Sequence, residues 1–320
     1  MRLIIAALCA ASLLLPLSSV AQDYPTKPIR LLVGYSPGGS VDASARLIAE
    51  HLGPMLGQTV IVDNKPGATG NIAADMLAKA APDGYTLYMA TSINAVSVSL
   101  FKSLTYHPVR DFASISKVVS VPNVLVVHPS VPAKNVQELV SHAKANPGKL
   151  TAATTGPGSS PHLCAALLST LTGIKLVDVP YKGGSQVMPD LLGGQVDLSF
   201  SNPTSVIQHA EKGGLRILAV TSATRFSQMP NVPTMIESGY PDFDLSAWYG
   251  LAAPAGTPKA IVDKLNAAVN TILKRPDVIK VLAVQGLEST PSTPAEMANT
   301  FTTDIVKYAK LLKDSGVQPQ

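Results

Sequence analysis

Short apolar runs alternate along the chain with stretches in which apolar residues recur at helical spacing. Residues 29–35 are an apolar run typical of a strand, and residues 40–56 follow a helical pattern. Further strands are predicted at 59–64, 85–91, 121–129, 150–154, 175–180, 196–200, 215–221 and 245–252. Further helices are predicted at 71–80, 136–145, 161–172, 185–193, 204–212, 258–274, 276–285 and 294–314. This alternation predicts an α/β fold in which helices cover parallel sheets.

Two segments of the chain repeat the same arrangement of proline, glycine and serine. The tetrapeptides PGGS (37–40) and PGSS (157–160) lie 120 positions apart, and each separates a predicted strand from a predicted helix. At the same offset Gly53 corresponds to Gly173, so each helix is expected to stop at that glycine. The repetition predicts two similar α/β lobes, each presenting a helix N-terminus to a shared crevice.

The chemistry of these two loops favours an anionic ligand. The first turn of a helix leaves backbone N–H groups without partners, and the helix dipole adds partial positive charge there. Glycine lets the backbone approach a ligand closely, and serine hydroxyls add donors. The combination suits a carboxylate or another oxyanion. A phosphate site is not predicted, because the sequence contains neither G-x-x-x-x-G-K-[ST] nor G-x-G-x-x-G.

Residues of the two loops, and polar residues at the ends of other predicted strands, form the candidate ligand-binding site. Open α/β sheets bind ligands beyond the carboxyl ends of their strands. The candidates are Tyr35, Ser36, Pro37, Gly38, Gly39, Ser40, Asp42, Thr91, Ser92, Thr155, Gly156, Ser159, His162, Tyr181, Ser201 and Asn202.

Several of these candidates have two interpretations. Asp42 either meets a ligand amine or caps its own helix and pairs with Arg46, four residues further on. His162 either reaches the crevice or caps the second helix. Tyr181 either walls the crevice or is a half-buried tyrosine. The hydroxyl and amide groups of the other candidates can also serve as helix caps.

Composition and the remaining motifs argue against other classes of protein. A net charge of +4 on 320 residues is close to balanced, which is not typical of a nucleic-acid-binding protein. The sequence has no G-x-S-x-G and no H-E-x-x-H, and its other histidines lack metal-ligand spacing. No catalytic residue, metal or cofactor is therefore predicted. Cys164 lies in an apolar run and is expected to be a buried, inert thiol.

The first 21 residues are typical of an export signal. Arg2 is followed by an apolar stretch, and Ser19-Val20-Ala21 is a small-residue cleavage site, so cleavage is expected near Ala21/Gln22. No later stretch is long and apolar enough to suggest a membrane span. The sequence thus predicts a periplasmic protein that is not inserted in the membrane.

Longer motifs point to one family. They are "YPTKPIRLLVGYSPGGSVDASARLIAEHLG", "VIVDNKPGATGNIAA", "APDGYTLYMAT", "TTGPGSSPHL", "VPYKGGSQVMPDLLGGQVDLSF", "LRILAVTSATR", "VPTMIESGYPDF" and "WYGLAAPAGTP". With these motifs the chain resembles the Bug-type substrate-binding proteins of tripartite tricarboxylate transporters, from about Tyr24 to near Gly316.

The resemblance implies the class II periplasmic binding protein fold, with two Rossmann-like α/β lobes that close on a small organic acid. It places residues 22–123 and 247–320 in lobe 1 and residues 124–246 in lobe 2, with hinge crossings near 121–125 and 243–248. It also implies that the loops at 35–42 and 155–162 grip the ligand carboxylate.

The expected function is that of a monomeric, exported receptor for a small carboxylate, which delivers its ligand to a tripartite tricarboxylate-type membrane transporter. Two alternatives remain open at this point. One is a receptor that presents its ligand to a sensor kinase, and the other is a hydrolase or lyase that uses the same crevice. Di- and tricarboxylates, aromatic acids and acidic amino acids are all candidate ligands.

Overall fold

The computed structural model describes residues 24–156, 158–181, 184–243 and 245–314, together with Val317 and Pro319. The predicted export signal and Pro157 of the second loop lie outside these residues. Within the described ranges, no helix combines the length and the apolar character that a membrane crossing requires.

Strands and helices alternate along the described chain as the sequence predicts. The strands are β1 (Ile29–Val33), β2 (Val60–Asn64), β3 (Thr86–Thr91), β4 (Phe112–Val121), β5 (Val124–Val127), β6 (Thr151–Thr154), β7 (Val177–Pro180), β8 (Leu198–Ser201), β9 (Arg216–Val220), β10 (Ala247–Pro254) and β11 (Glu288–Ser289). The helices are α1 (Ser40–Leu56), α2 (Asn71–Ala78), α3 (Ser92–Leu100), α4 (Pro108–Asp111), α5 (Val136–Ala145), α6 (Ser160–Thr172), α7 (Gly184–Leu192), α8 (Pro203–Glu211), α9 (Lys259–Leu273), α10 (Pro276–Val284) and α11 (Pro294–Asp314).

The strands form two sheets, and the elements packed on each sheet are called here the first and the second lobe. The first sheet has the order β11-β4-β10-β3-β1-β2, and the second has the order β7-β6-β8-β5-β9. Strand β1 is parallel to β2 and β3, and β6 is parallel to β7 and β8. Strands β10 and β5 run antiparallel to their neighbours. The sheets are therefore mixed rather than wholly parallel, because β5 and β10 each enter directly from the other lobe without a covering helix.

The chain passes between the sheets through two short segments that lie side by side. It leaves the first sheet after Val121, enters the second at Val124, and returns to the first at Ala247. Thr221 ties the segments together: its N–H donates to the Asn123 carbonyl at 2.9 Å, and its carbonyl accepts from the Leu245 N–H at 3.3 Å. The assignment of these segments as hinge crossings, near 121–125 and 243–248, stays a prediction.

Two sequence predictions of element boundaries are wrong. The strand predicted at 121–129 is interrupted at residues 122–123, and a ten-residue strand, β4, precedes it at Phe112–Val121. The limits that apolar spacing predicts for α1, residues 40–56, are correct, but the stop at Gly53 that the repeat predicts is wrong, because the helix continues through Gly53 and is capped by Gly57 at φ 72°. Helix α6 does stop at Gly173. Gly53 is needed for a close approach instead, since a Cβ there would lie 3.2 Å from the Gln58 carbonyl oxygen.

The two lobes contact each other on more than one side of the crevice. Helix α11 of the first lobe packs against both α3 and α6. The Ser227 N–H donates to the Glu288 carboxylate at 3.0 Å, and the Gln228 side chain donates to the Ala283 carbonyl. At the second loop, a Cβ on Gly158 would lie 3.4 Å from Leu100 Cδ2. These contacts bring the two predicted anion-binding loops close together.

Candidate functional site

The first loop, residues 34–39, is held in place by the carboxylate of Asp42. This side chain accepts hydrogen bonds from the Gly38 N–H at 2.9 Å, Arg46 Nε at 2.9 Å and Asn64 Nδ2 at 2.8 Å. The residue is only 2% exposed. Burial opposes its ionisation, but these hydrogen bonds together with the charge of Arg46 hold the pKa of Asp42 below its ordinary value. The predicted pair with Arg46 is therefore present, and it positions the loop that Gly38 bends through φ 89°.

Strand β1 leads into this loop through a close backbone crossing. A Cβ on Gly34 would lie 2.6 Å from the Cα of Gly70, so only glycine fits at this position. Beside the crossing, Ala68 and Thr69 adopt positive φ values of 46° and 57°. Tyr35 follows Gly34, and its hydroxyl donates to the Thr69 carbonyl at 3.3 Å. The segment at 68–70 thus packs against Gly34 and Tyr35 and supports the start of the loop.

A third helix N-terminus, that of α3, lies beside the first loop. Thr91 caps α3 in a reciprocal arrangement with Asn94, whose side-chain oxygen accepts from the Thr91 N–H at 2.9 Å. The Tyr35 and Thr91 hydroxyls lie 3.4 Å apart. On the other side of the loop, the Ser40 and Tyr249 hydroxyls lie 2.7 Å apart, which links α1 to strand β10.

The second loop closes on itself at the start of helix α6. The Ser159 hydroxyl accepts from the His162 N–H at 3.4 Å, and His162 Nδ1 accepts from the Gly158 N–H at 3.3 Å. Ser160, the first residue of the helix, accepts a hydrogen bond of 2.6 Å from Asn123 Nδ2. Asn123 lies on the first crossing between the lobes, so this bond ties the helix to the crossing.

Three helices begin at the wall of one cavity of about 300 Å³ between the lobes. Ser40, Ser92 and Ser160 are the first residues of α1, α3 and α6, and all three line this cavity. Each helix is eight residues or longer. The first turn of each carries unpaired backbone N–H groups and the positive end of the helix dipole. The convergence creates a region of positive potential without a charged side chain, which suits an oxyanion.

A second cavity, of about 420 Å³, lies at the carboxyl ends of strands of the second sheet. Thr155, Ser201 and Asn202 contribute to its wall, as does Pro161 on the first turn of α6. The Asn202 side chain caps α8 by accepting from the Thr204 N–H at 3.0 Å. Both cavities thus border the N-terminus of α6, the first at Ser160 and the second at Pro161.

Comparison with known proteins shows to which family the chain belongs. Residues 44–317 match the tripartite tricarboxylate transporter family receptor. The chain belongs to this family. Its members are periplasmic solute-binding receptors and not enzymes, so the predictions of a Bug-type receptor without catalytic activity are confirmed by family membership.

Individual relatives of this tripartite tricarboxylate transporter receptor cover nearly the whole chain. Protein BugT of Bordetella pertussis (strain Tohama I) is 38% identical over 300 residues, which are 93% of this chain and 92% of BugT. The structure of R. palustris Rpa4515 with adipate is 34% identical, with a TM-score of 0.75 over 93% of this chain and 100% of Rpa4515. MatC from Rhodopseudomonas palustris, with bound malate, is 31% identical, with a TM-score of 0.71 over 90% of this chain and 100% of MatC. The predicted two-lobed periplasmic binding protein fold is confirmed by these structures.

The receptor brings half of the candidate residues to the two cavities. Those that line the first cavity are Tyr35, Gly39, Ser40, Thr91 and Ser92. Those that line the second are Thr155, Ser201 and Asn202. Those that line neither are Ser36, Pro37, Gly38, Asp42, Gly156, Ser159, His162 and Tyr181. For all sixteen candidates, contact with the ligand stays a prediction.

Tyr181 and His162, two of the residues that line neither cavity, have positions that a structural role accounts for. Tyr181 donates to the Asp190 carboxylate at 2.7 Å, and this bond raises the pKa of the Tyr181 hydroxyl. His162 lines a smaller cavity beside Asp178, away from the three serines. Both geometries match the structural interpretation of these side chains.

Ser160 is missing from the list of candidates, although its hydroxyl is one of the donors of the second loop and it stands in PGSS where Ser40 stands in PGGS. The list also lacks Leu163, Tyr249 and Tyr308, which reach the first cavity from helix α6, strand β10 and helix α11. Cys164 is fully buried, and burial raises its pKa, as expected for an inert thiol. Among the described residues no cluster of His, Cys, Asp or Glu is arranged to hold a metal.

Proposed function

We propose that this receptor captures a small organic carboxylate between its two lobes and delivers it to a membrane transporter of the tripartite tricarboxylate type. The observation that carries the proposal is the convergence of Ser40, Ser92 and Ser160 on one cavity. Helix N-termini bind anions through their N–H groups, and no arginine is required. Adipate and malate, the ligands of Rpa4515 and MatC, are both carboxylates, which supports the same ligand class here.

In this proposal the lobes move about the paired crossings. Lobe 1 comprises residues 22–123 and 247–320, and lobe 2 comprises residues 124–246. The N-termini of α1 and α3 belong to the first lobe and that of α6 to the second, so a carboxylate bound among them holds the lobes together. Residues 1–21 export the chain to the periplasm, where it acts as a monomer.

Calorimetric titration of the purified protein with organic acids and with their methyl esters tests carboxylate capture. An acid that binds should lose at least about tenfold in affinity as its ester, because a charge-assisted hydrogen bond contributes roughly 1.5–3 kcal/mol. Equal affinity for acid and ester would disprove anion recognition. Delivery is tested by uptake of the labelled acid in cells with and without the transporter genes, and uptake that is independent of those genes would contradict it.

A further inference from the structure

Behind the N-terminus of helix α3 lies a chain of hydrogen bonds between buried polar side chains. The Tyr106 hydroxyl accepts from Asn94 Nδ2 at 2.8 Å and donates to Asn71 Oδ1 at 2.7 Å. The Tyr88 hydroxyl donates to Asn94 Oδ1 at 3.3 Å. All four residues are buried, and none of the four lines either cavity. Any influence of Tyr106 on the candidate site must therefore pass through another residue.

The side-chain amide of Asn94 satisfies its partners in one orientation only. The Thr91 N–H, 2.9 Å away, can only donate, so the atom that it meets must be the amide oxygen of Asn94. The amide nitrogen then faces Tyr106, whose hydroxyl accepts from it and donates its own proton to Asn71. Burial raises the pKa of the Tyr106 hydroxyl, which keeps that proton in place. Tyr106 thus holds Asn94 in the orientation that caps α3.

This cap decides which N–H groups of α3 a ligand can meet. The Thr91 hydroxyl accepts from the Asn94 N–H, and the Asn94 side chain accepts from the Thr91 N–H. Ser92 and Ile93, the two residues in between, contribute no N–H group to this arrangement, and both line the first cavity. A carboxylate in that cavity would meet their N–H groups. The direction of these groups depends on the cap, because the cap fixes the first turn of the helix.

The other partner of Tyr106 belongs to the support of the first loop. Asn71 begins helix α2 and follows Gly70, whose Cα packs against Gly34 at the start of that loop. The Tyr88 hydroxyl also lies 3.4 Å from the Gly70 carbonyl oxygen. Tyr106 therefore joins the N-terminus of α3 to the segment that supports the loop before α1, and these are two of the three helix N-termini at the cavity.

We propose that Tyr106 is a positioning residue of the carboxylate site, which acts through Asn94 on the first turn of helix α3. The proposal rests on the proposed function, because it assigns the N–H groups of that turn to the bound carboxylate. The ring of Tyr106 is held separately from its hydroxyl, since it stacks on Phe112 with 5.4 Å between the ring centroids. Tyr106→Phe therefore removes the hydroxyl and keeps the packing.

Calorimetry with adipate and malate, which are bound in the structures of Rpa4515 and MatC, measures the effect on the site. Tyr106→Phe should bind whichever acid the wild type binds at least about fivefold more weakly, because the amide of Asn94 is no longer held. Asn94→Ala should lower the affinity at least as much, and adding Tyr106→Phe to it should cost little further affinity. Tyr24→Phe is the matched control with wild-type affinity, since its hydroxyl donates to the Gly84 carbonyl away from both cavities.

Amide hydrogen exchange, followed by NMR without a ligand, tests the same attachment. The Thr91 N–H should exchange at least about tenfold faster in Tyr106→Phe than in the wild type or Tyr24→Phe, because its acceptor on Asn94 is freed. A role in global stability alone would instead accelerate the amides at the centre of strand β1 by the same factor.

The failures of the two proposals are distinguishable. Wild-type affinity in Tyr106→Phe, or unchanged exchange at Thr91, overturns the positioning role and leaves carboxylate capture standing. Affinity losses that multiply in the double variant would show that Tyr106 does not act through Asn94, and would overturn it as well. An acid that binds the wild type no better than its methyl ester would disprove the proposed function instead. If neither acid binds, exchange at Thr91 decides the role of Tyr106.

Discussion

The side-chain amide of Asn123 donates a hydrogen bond of 2.6 Å to the hydroxyl of Ser160. Asn123 belongs to the first crossing between the lobes, and Ser160 begins helix α6 at the candidate site. The same amide lies 3.8 Å from Cys164 Sγ, which in turn contacts the carbonyl of Leu245 on the second crossing. The N-terminus of α6 is thus attached to both crossings, so its orientation depends on how the lobes are arranged.

Asn123→Leu should weaken ligand binding through this attachment. The change leaves the half-buried Ser160 hydroxyl without its donor, and the free energy of unfolding should fall by about 0.5–1.5 kcal/mol. Carboxylate affinity should fall about tenfold or more, because helix α6 is no longer held at the crossing.

Asn266→Leu is the matched control for this variant. Asn266 donates to the carbonyls of Ile115 and Ser292 and lines neither cavity. It should lose a similar amount of stability, measured by urea denaturation, while calorimetry shows unchanged affinity. If both variants bind the ligand with wild-type affinity, the Asn123 bond does not position the helix.

Asp42→Asn should destabilise the protein in a pH-dependent way. The amide cannot accept from Gly38, Arg46 and Asn64 at once, so about 1–3 kcal/mol should be lost at neutral pH. Because the folded pKa of Asp42 is lowered, its ionised form contributes stability above the unfolded pKa of 3.8, and this contribution is lost as the pH falls through the folded pKa. The difference in unfolding free energy between wild type and variant should therefore shrink in acid.

Urea denaturation at several pH values measures this difference. Asp263→Asn, which breaks an exposed pair with Lys259, should cost no more than a few tenths of a kcal/mol. A pH-independent difference for Asp42→Asn would show that ionisation of Asp42 does not stabilise the first loop.

Gly34→Ala should be among the most disruptive single-methyl changes in the first lobe. The Cβ of the new alanine would lie 2.6 Å from the Cα of Gly70. A shift of the backbone at residue 34 or at residue 70 would disturb the hydrogen bond between the Tyr35 hydroxyl and the Thr69 carbonyl. We expect a loss of at least about 1–3 kcal/mol in the free energy of unfolding, as for an overpacked core site. Gly39→Ala, with φ −80° and its nearest neighbour, the Ser36 oxygen, 3.9 Å from the added Cβ, should keep wild-type thermal stability. Similar melting temperatures for the two variants would contradict the close crossing.

Ser159→Phe should prevent ligand-induced closure of the lobes. The ring would stand at the second loop, where neighbouring Gly158 faces Leu100 of the first lobe. Ser159→Ala loses the same cap to the His162 N–H, worth about 1 kcal/mol, but adds no bulk. Small-angle scattering should show compaction on ligand addition for the wild type and Ser159→Ala only. Compaction of Ser159→Phe would show that the second loop is not part of the clamp.

Much of the local structure could be predicted from the sequence, because it depends on neighbouring residues. The predicted limits of α1, residues 40–56, are those observed, since the apolar spacing and the preceding glycines act within one turn of the helix. Strand β4 was not predicted, because its Ser116 and Lys117 interrupt the apolar pattern. The Ser116 hydroxyl is satisfied by Asn270, 2.8 Å away but distant along the chain, and such a partner is invisible in a local pattern.

The sequence alone determined that PGGS and PGSS each precede a helix, and hence that two helix N-termini can attract an anion. Only the tertiary structure decided that α3 adds a third N-terminus, and that Ser40, Ser92 and Ser160 line one cavity. It also decided that Asp42 is committed to the loop and that Val96 and Leu163 add apolar side chains to the wall of that cavity. The physical reason is range: caps and turns form between near neighbours in sequence, whereas a binding cavity depends on how distant helices pack.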